Sequence, residues 1–196
     1  MQTTTYQKLP YPLPGDPGAL ALHLQQLADA VDAKLDDLDT QWLAQMNKPT
    51  AVIRRNTNLT GISASTDTQV LMETIDKEVG GNLTSGQTIT PDVGLEGWYH
   101  LKAQVSFNAG TPTANTQRRA MIKVVNFSLL SASFVVEEFW VEEYENNGSV
   151  NVTVEGVAYL DSTRTAQVWV RHTNATAIDV TAPVTWLAAT RICPKV

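Results

Sequence analysis

The chain has little of what most chemistry needs. Among 196 residues there is one cysteine, Cys193, and there are three histidines, His23, His100 and His172. A single thiol excludes an internal disulfide framework and suits a reducing compartment. Cys193 has no histidine near it in sequence, so a catalytic thiol is not expected. The three imidazoles lie far apart with no carboxylate at a defined spacing, so neither a metal site nor a cofactor is expected. Basic runs are missing too, and the net charge is -6, which argues against nucleic acid as a partner. Arg54-Arg55 and Arg118-Arg119 are isolated pairs and read as strand-edge charges. No stretch approaches the ~18 apolar residues of a membrane span, so no membrane insertion is expected. Met1-Gln2-Thr3-Thr4-Thr5 has neither the basic start nor the apolar run of a signal peptide. The expectation is a soluble protein made in a cytoplasm. Six Asn-x-Ser/Thr sequons, including those at Asn58, Asn82 and Asn174, then read as accidents of a chain rich in Thr and Asn. No repeat of fixed period appears, which argues against a β-helix or a propeller.

What is present falls into three regimes. Residues 1–15 form an arm punctuated by Pro10, Pro12 and Pro14. Proline at every second position favours an extended, polyproline-like run. The arm is either a disordered tail or an extended attachment segment whose Tyr6, Leu9, Tyr11 and Leu13 dock on a neighbouring protein. Residues 16–47 read as one amphipathic helix. Asp16-Pro17 supplies an N-cap carboxylate and a proline at the first helical position. Apolar residues recur at Leu20, Leu24, Leu27, Val31, Leu35, Leu38, Trp42 and Met46, steps of three and four throughout. From Leu24 to Leu35 to Met46 the repeat is eleven, a period of about 3.67 that predicts a straight or slightly right-handed bundle. One apolar stripe on a solvated rod needs a partner. Leu20, Leu24, Leu27, Val31, Leu35, Leu38 and Trp42 are therefore the candidate oligomerisation residues, facing either copies of themselves or their own head domain.

Residues 51–196 read as an all-β head, rich in Thr and Val with polar turns between short runs. Residues 51–55 are a first strand and residues 69–79 a second with an ambiguous inner face. The clearest strand is 97–107, where Tyr99, Leu101, Ala103, Val105 and Phe107 alternate with His100, Lys102, Gln104 and Ser106. In 119–127 the inner side is Ala120, Ile122 and Val124. Residues 133–145 fit helix or strand by spacing, and their β-branched and aromatic content favours strand. Asn147-Gly148 predicts a hairpin pairing that run with 150–160. In 165–172 Ala166, Val168 and Val170 point inward, and in 184–192 Val184, Trp186, Ala188 and Ile192 share one side. About eight such strands suit an antiparallel two-sheet jelly roll.

Two constellations deserve weighing. Glu137, Glu138, Glu142, Glu143 and Glu145 form an acidic cluster. Paired carboxylates hydrolyse glycosidic bonds when they flank a sugar, but neighbours on one strand more simply make a solvated edge that resists aggregation. No enzyme is expected. Trp98, Trp140 and Trp169 fall on phases opposite an apolar face. They are either exposed, and able to stack on sugars or anchor a protein, or buried in a subunit interface.

The run Gly94-Leu95-Glu96-Gly97-Trp98-Tyr99-His100-Leu101-Lys102-Ala103-Gln104-Val105-Ser106-Phe107 resembles the central strand of the complement-head and tumour-necrosis-factor-like jelly roll. Arg118-Arg119 leading into Ile122-Lys123-Val124 resembles the next strand of phage-encoded members, and the run from Trp186 to Ile192 resembles the closing strand. Asp161 followed by Gln167-Val168-Trp169-Val170 resembles a late strand, although Ser162 and Thr163 replace the family's Gly-Asp turn. Tyr11-Pro12-Leu13-Pro14-Gly15-Asp16-Pro17, with Leu24 to Asp32, resembles the start of fibre proteins from the head, neck or tail of phages infecting actinobacteria. These resemblances imply a homotrimer of jelly-roll heads and a structural place in a virion. They imply other virion proteins as partners of the arm; tryptophans that are exposed would add host cell-surface glycan as a further partner.

Overall fold

The computed structural model describes residues 2–3, 10–11, 20–46, 48–84, 87–108, 116–127, 133–145 and 148–194, with backbone alone for 2–3, 10–11, 20–24, 41–46, 133 and 145. The chain divides into two units, Met1–Asn47 and Lys48–Val196. In the first, β1 (Gln2–Thr3) pairs antiparallel with β2 (Pro10–Tyr11), and α1 covers Leu20–Met46. The expected start at Asp16-Pro17 lies outside the described residues, as do Tyr6, Leu9 and Leu13. Strong helix formers carry α1: its exposed middle alternates Leu and Ala with Asp, Lys and Gln, and no proline or glycine interrupts it.

The second unit contains eleven strands among its described residues: β3 (Thr50–Arg54), β4 (Leu59–Ile62), β5 (Thr68–Val70), β6 (Thr74–Val79), β7 (Gly97–Phe107), β8 (Thr116–Phe127), β9 (Ser133–Glu145), β10 (Val150–Leu160), β11 (Arg164–His172), β12 (Ile178–Val180) and β13 (Trp186–Pro194). They form two layers. One sheet runs β4-β12-β7-β13-β3-β6 with β10 paired to β7, and the other runs β5-β11-β8-β9. Every strand pair is antiparallel. This is the mainly β, antiparallel jelly-roll sandwich that the sequence predicts. The core between the layers takes Tyr99, Leu101, Ala103, Val105 and Phe107 from β7, Ala120, Ile122 and Val124 from β8, Val152 and Val154 from β10, and Ala166, Val168 and Val170 from β11. These are the alternating sets expected from a period of two.

Three expectations are corrected. The predicted hairpin between 133–145 and 150–160 does not form, because β9 pairs with β8 and β10 with β7. The two strands meet face to face across the sandwich instead: a Cβ on Gly156 would lie 2.3 Å from the Phe139 ring. An Asn-Gly signal reports a local bend, and burying an apolar face on each strand decides which layer the chain enters. The predicted strand 69–79 is two strands in different sheets. Between β5 and β6 the chain crosses layers with Met72 wholly buried, held because Arg55 Nη1 donates to the Leu71 carbonyl (2.5 Å) and Glu73 N–H to that of Arg54 (2.8 Å). That crossing explains the ambiguous inner face. In β13 the side shared by Trp186 and Ala188 is the outer one, and Leu187 and Ala189 are buried. Register decides this, since Leu187 pairs with Ala103 and Ile53, both core residues. Finally, the arginine pairs are not strand-edge charges. Arg54 closes β3 and Arg118 and Arg119 lie on β8, interior strands both, where charge must be partnered. Arg54 meets Asp76 at 2.5 Å, and Arg118 Nη1 donates to the Gly148 carbonyl at 2.9 Å.

Candidate functional site on the four-stranded sheet

The outer face of the β5-β11-β8-β9 sheet is ordered in rows by register. Trp169, Met121 and Trp140 make one row across three strands. On one side lies the row Gln167, Lys123 and Glu138, and on the other Arg171, Arg119 and Glu142. Beyond these, Gln117 stands opposite Tyr144. Residues i, i+2 and i+4 of a strand share a face, so alternating polar and aromatic side chains become a surface of rings between charges.

The charges are used to hold the rings. Arg119 donates through Nε to Glu142 Oε1 at 2.6 Å and also through Nη2. Its guanidinium lies 4.6 Å from the centroid of the Trp140 ring. Lys123 Nζ, on a side chain nine-tenths buried, meets Asp67 at 2.6 Å and Glu138 at 3.6 Å, and lies 4.9 Å from the Trp169 centroid. Trp169 Nε1 donates to Gln167 Oε1 at 3.0 Å. Cation–π contacts of this kind contribute about 0.5–1 kcal/mol at exposed sites. Trp140 nevertheless stays 53 % exposed. Next to this row lies a cavity of about 150 Å³ lined by Gln117, Arg119, Glu142, Arg171, His172 and Thr173.

Trp98 stands apart, on the outer face of the seven-stranded sheet, where its ring meets Tyr159 edge-on with centroids 5.9 Å apart. The three candidate tryptophans thus split into a pair, Trp140 and Trp169, and a single ring on the opposite layer. The acidic cluster is less solvated than expected, because Glu138 and Glu142 face cations of β8. His100 points outward, 3.8 Å from Glu155, whereas His172 is 1 % exposed within the head, so the two do not meet. His172 Nδ1 accepts the Asn174 N–H at 3.1 Å and Nε2 donates to the Ile62 carbonyl at 2.8 Å, fixing a neutral ring. Burial, reinforced by the Arg118 charge, holds its pKa below the ordinary 6.5 despite that carbonyl. Among the described residues no group of three or more His, Cys, Asp or Glu is placed to hold a metal ion.

In the helical unit Leu27, Val31, Leu35 and Leu38 are 43 %, 48 %, 54 % and 57 % exposed. The side chains of Leu20, Leu24 and Trp42 and that of Tyr11 are outside the description. Sequence reading did not single out Gln117, Arg171, Thr173 or Tyr144. Only strand order brings them together, and no local signal marks it.

No family model matches the chain, and no curated protein sequence matches it. Among solved structures it is similar to murine APRIL at pH 5.0, with a TM-score of 0.51 and 12 % identity over 74 % of this chain and 99 % of that one. It is also similar to Eiger TNF from S. frugiperda, with a TM-score of 0.50 and 12 % identity over 76 % of this chain and 96 % of that one. Such likeness shows the fold, a tumour-necrosis-factor-like jelly roll.

Proposed function

We propose that the protein is a non-enzymatic structural component of a bacteriophage virion: a homotrimer in which the arm attaches to the particle, the helix holds three chains in register and the jelly-roll heads project. One observation carries this reading. Leu27, Val31, Leu35 and Leu38 line one face of α1 and leave about half of each side chain exposed. Covering such a stripe with copies of itself removes it from water at no cost in unpaired polar groups. The head offers further support. Among the described residues β9 is an edge strand, with Phe134, Val135 and Val136 exposed, a feature that proteins normally cover. Attachment through Tyr6, Leu9, Tyr11 and Leu13 and location on the virion come from the resemblance of the first 32 residues to phage fibre proteins. Sedimentation at micromolar concentration tests the assembly. A species three times the 21.4 kDa chain mass is expected, and a monomer overturns the reading.

A second reading is favoured by the half-exposed Trp140 beside a cavity: the heads recognise a glycan on the host surface. It predicts saturable glycan binding that is lost in Trp140→Ala.

A further inference from the structure

The cavity beside Trp140 carries a charge that its own walls do not balance. Two guanidinium groups and one carboxylate line it. His172 adds no charge, since its Nδ1 accepts a backbone N–H. Glu142 is committed to Arg119, which holds it with two nitrogens. Arg171 is held far more loosely. Its closest approach to a carboxylate is 3.8 Å, to Asp67 Oδ1, and its side chain is 43 % exposed. The other oxygen of Asp67 takes the 2.6 Å bond from Lys123. A guanidinium presents five donors in a planar fork matched to a carboxylate, and one 3.8 Å ion pair leaves that fork largely unused.

Two aromatic side chains in contact with lining residues, Trp140 with Arg119 and Tyr144 with Gln117, add a second recognition element. Trp140 and Tyr144 are 53 % and 65 % exposed, and they share the outer face of β9 with Glu142 between them. Gln117 Nε2 donates to the Tyr144 hydroxyl at 2.9 Å, which orients that ring. Thr173 and Gln117 supply a hydroxyl and an amide beside the arginines. Aromatic faces accept the C–H face of a pyranose, while hydroxyls and amides take its O–H groups. A neutral sugar would leave the Arg171 fork with nothing beyond its single 3.8 Å ion pair to Asp67, and an acidic peptide would not call for two flanking rings.

We propose that this cavity binds an acidic saccharide, a uronic acid unit whose carboxylate sits on Arg171 while adjoining sugar rings stack on Trp140 and Tyr144. The assignment rests on the glycan-binding reading above and names the sugar class and the residue that selects it. Affinity electrophoresis of the full chain tests it, in gels containing polygalacturonate, neutral dextran or poly(glycerol phosphate). Retardation by polygalacturonate alone is expected, weakened at least tenfold in Arg171→Gln and in Trp140→Ala. Arg171→Lys keeps the charge but loses the fork, and a loss of similar size is expected; it also serves should Arg171→Gln not fold. Dextran retardation that is indifferent to Arg171→Gln overturns the acidic ligand and leaves the glycan reading standing. Equal retardation by poly(glycerol phosphate) overturns the uronate in favour of polyanions in general. Retardation by no polymer overturns both.

Discussion

A methyl group at position 156 would push into the Phe139 ring, with three ring atoms within 2.6 Å of it. Glycine is needed there for close approach between the layers and not for a turn. Gly156→Ala is expected to destabilise the head by about 1–3 kcal/mol, the usual cost of overpacking, and urea unfolding measures it. His172 sets a pH dependence. Its folded pKa is lowered from 6.5, so the unfolded chain binds more protons as pH falls below that value. The stability it contributes is complete above pH 6.5 and lost as pH drops through the folded value. His172→Gln should flatten the unfolding free energy just below pH 6.5, compared with wild type. Carboxylates act in a lower window. Glu73 is held below its ordinary 4.5 by the Thr57 hydroxyl, then by the amides of Asn56 and Thr57 and the charge of Arg55. At Asp161 burial pushes the pKa up, but the hydroxyl and N–H of Thr163 and the charge of Arg164 outweigh it and leave it below 3.8. Both therefore favour the fold above those values and cease to do so in acid. The Asp161 contacts also hold the Ser162-Thr163 turn: Thr163 donates both its N–H (2.9 Å) and its hydroxyl (2.7 Å) to the carboxylate. Trp140 and Trp169 were legible as candidates because strand phase alone turns them outward. Arg171 was not, because its significance depends on what β8 and β9 place beside it.

Among the elements, α1 and β9 contrast most. The helix is autonomous in its logic: spacing of three and four writes the stripe, and the structure leaves Leu27 to Leu38 exposed. Each of these side chains, about half buried by self-association, is worth on the order of 1 kcal/mol. A charge in the seam removes that gain and adds repulsion between copies. Leu35→Asp is therefore expected to turn the proposed trimer into monomers with the β circular-dichroism signal intact, read by sedimentation. Strand β9 has no such autonomy. Its composition identifies it as a strand, yet the Asn-Gly signal after it suggests a hairpin with β10 that does not occur. Pairing choice belongs to the sheet: β8 offers β9 a twelve-residue partner, and β7 offers β10 an unbroken eleven-residue ladder. Placing β9 and β10 in different layers lets both strands keep full ladders and bury a face against each other.

At the scale of the whole molecule, the two units Met1–Asn47 and Lys48–Val196 are compact separately. Among the described residues, the core of the sandwich is drawn from the second. A fragment of residues 48–196 is expected to unfold cooperatively by itself, with weaker self-association than the full chain. Under the proposed virion role, removing residues 1–15 should leave a folded trimer that no longer joins the particle, measured by incorporation into virions; if the head unfolds instead, the arm belongs to the core. The amino-acid sequence by itself determined the all-β head, the amphipathic rod before it and the inward face of most strands. Those features are periodic, and periodicity is a property of neighbours along the chain. Strand order, the crossing between β5 and β6, the buried side of β13 and the gathering of Arg171, Arg119, Glu142 and Trp140 were decided only by the tertiary structure. They depend on which strands share a sheet, and that is settled by burying two apolar faces together rather than by any local residue pattern.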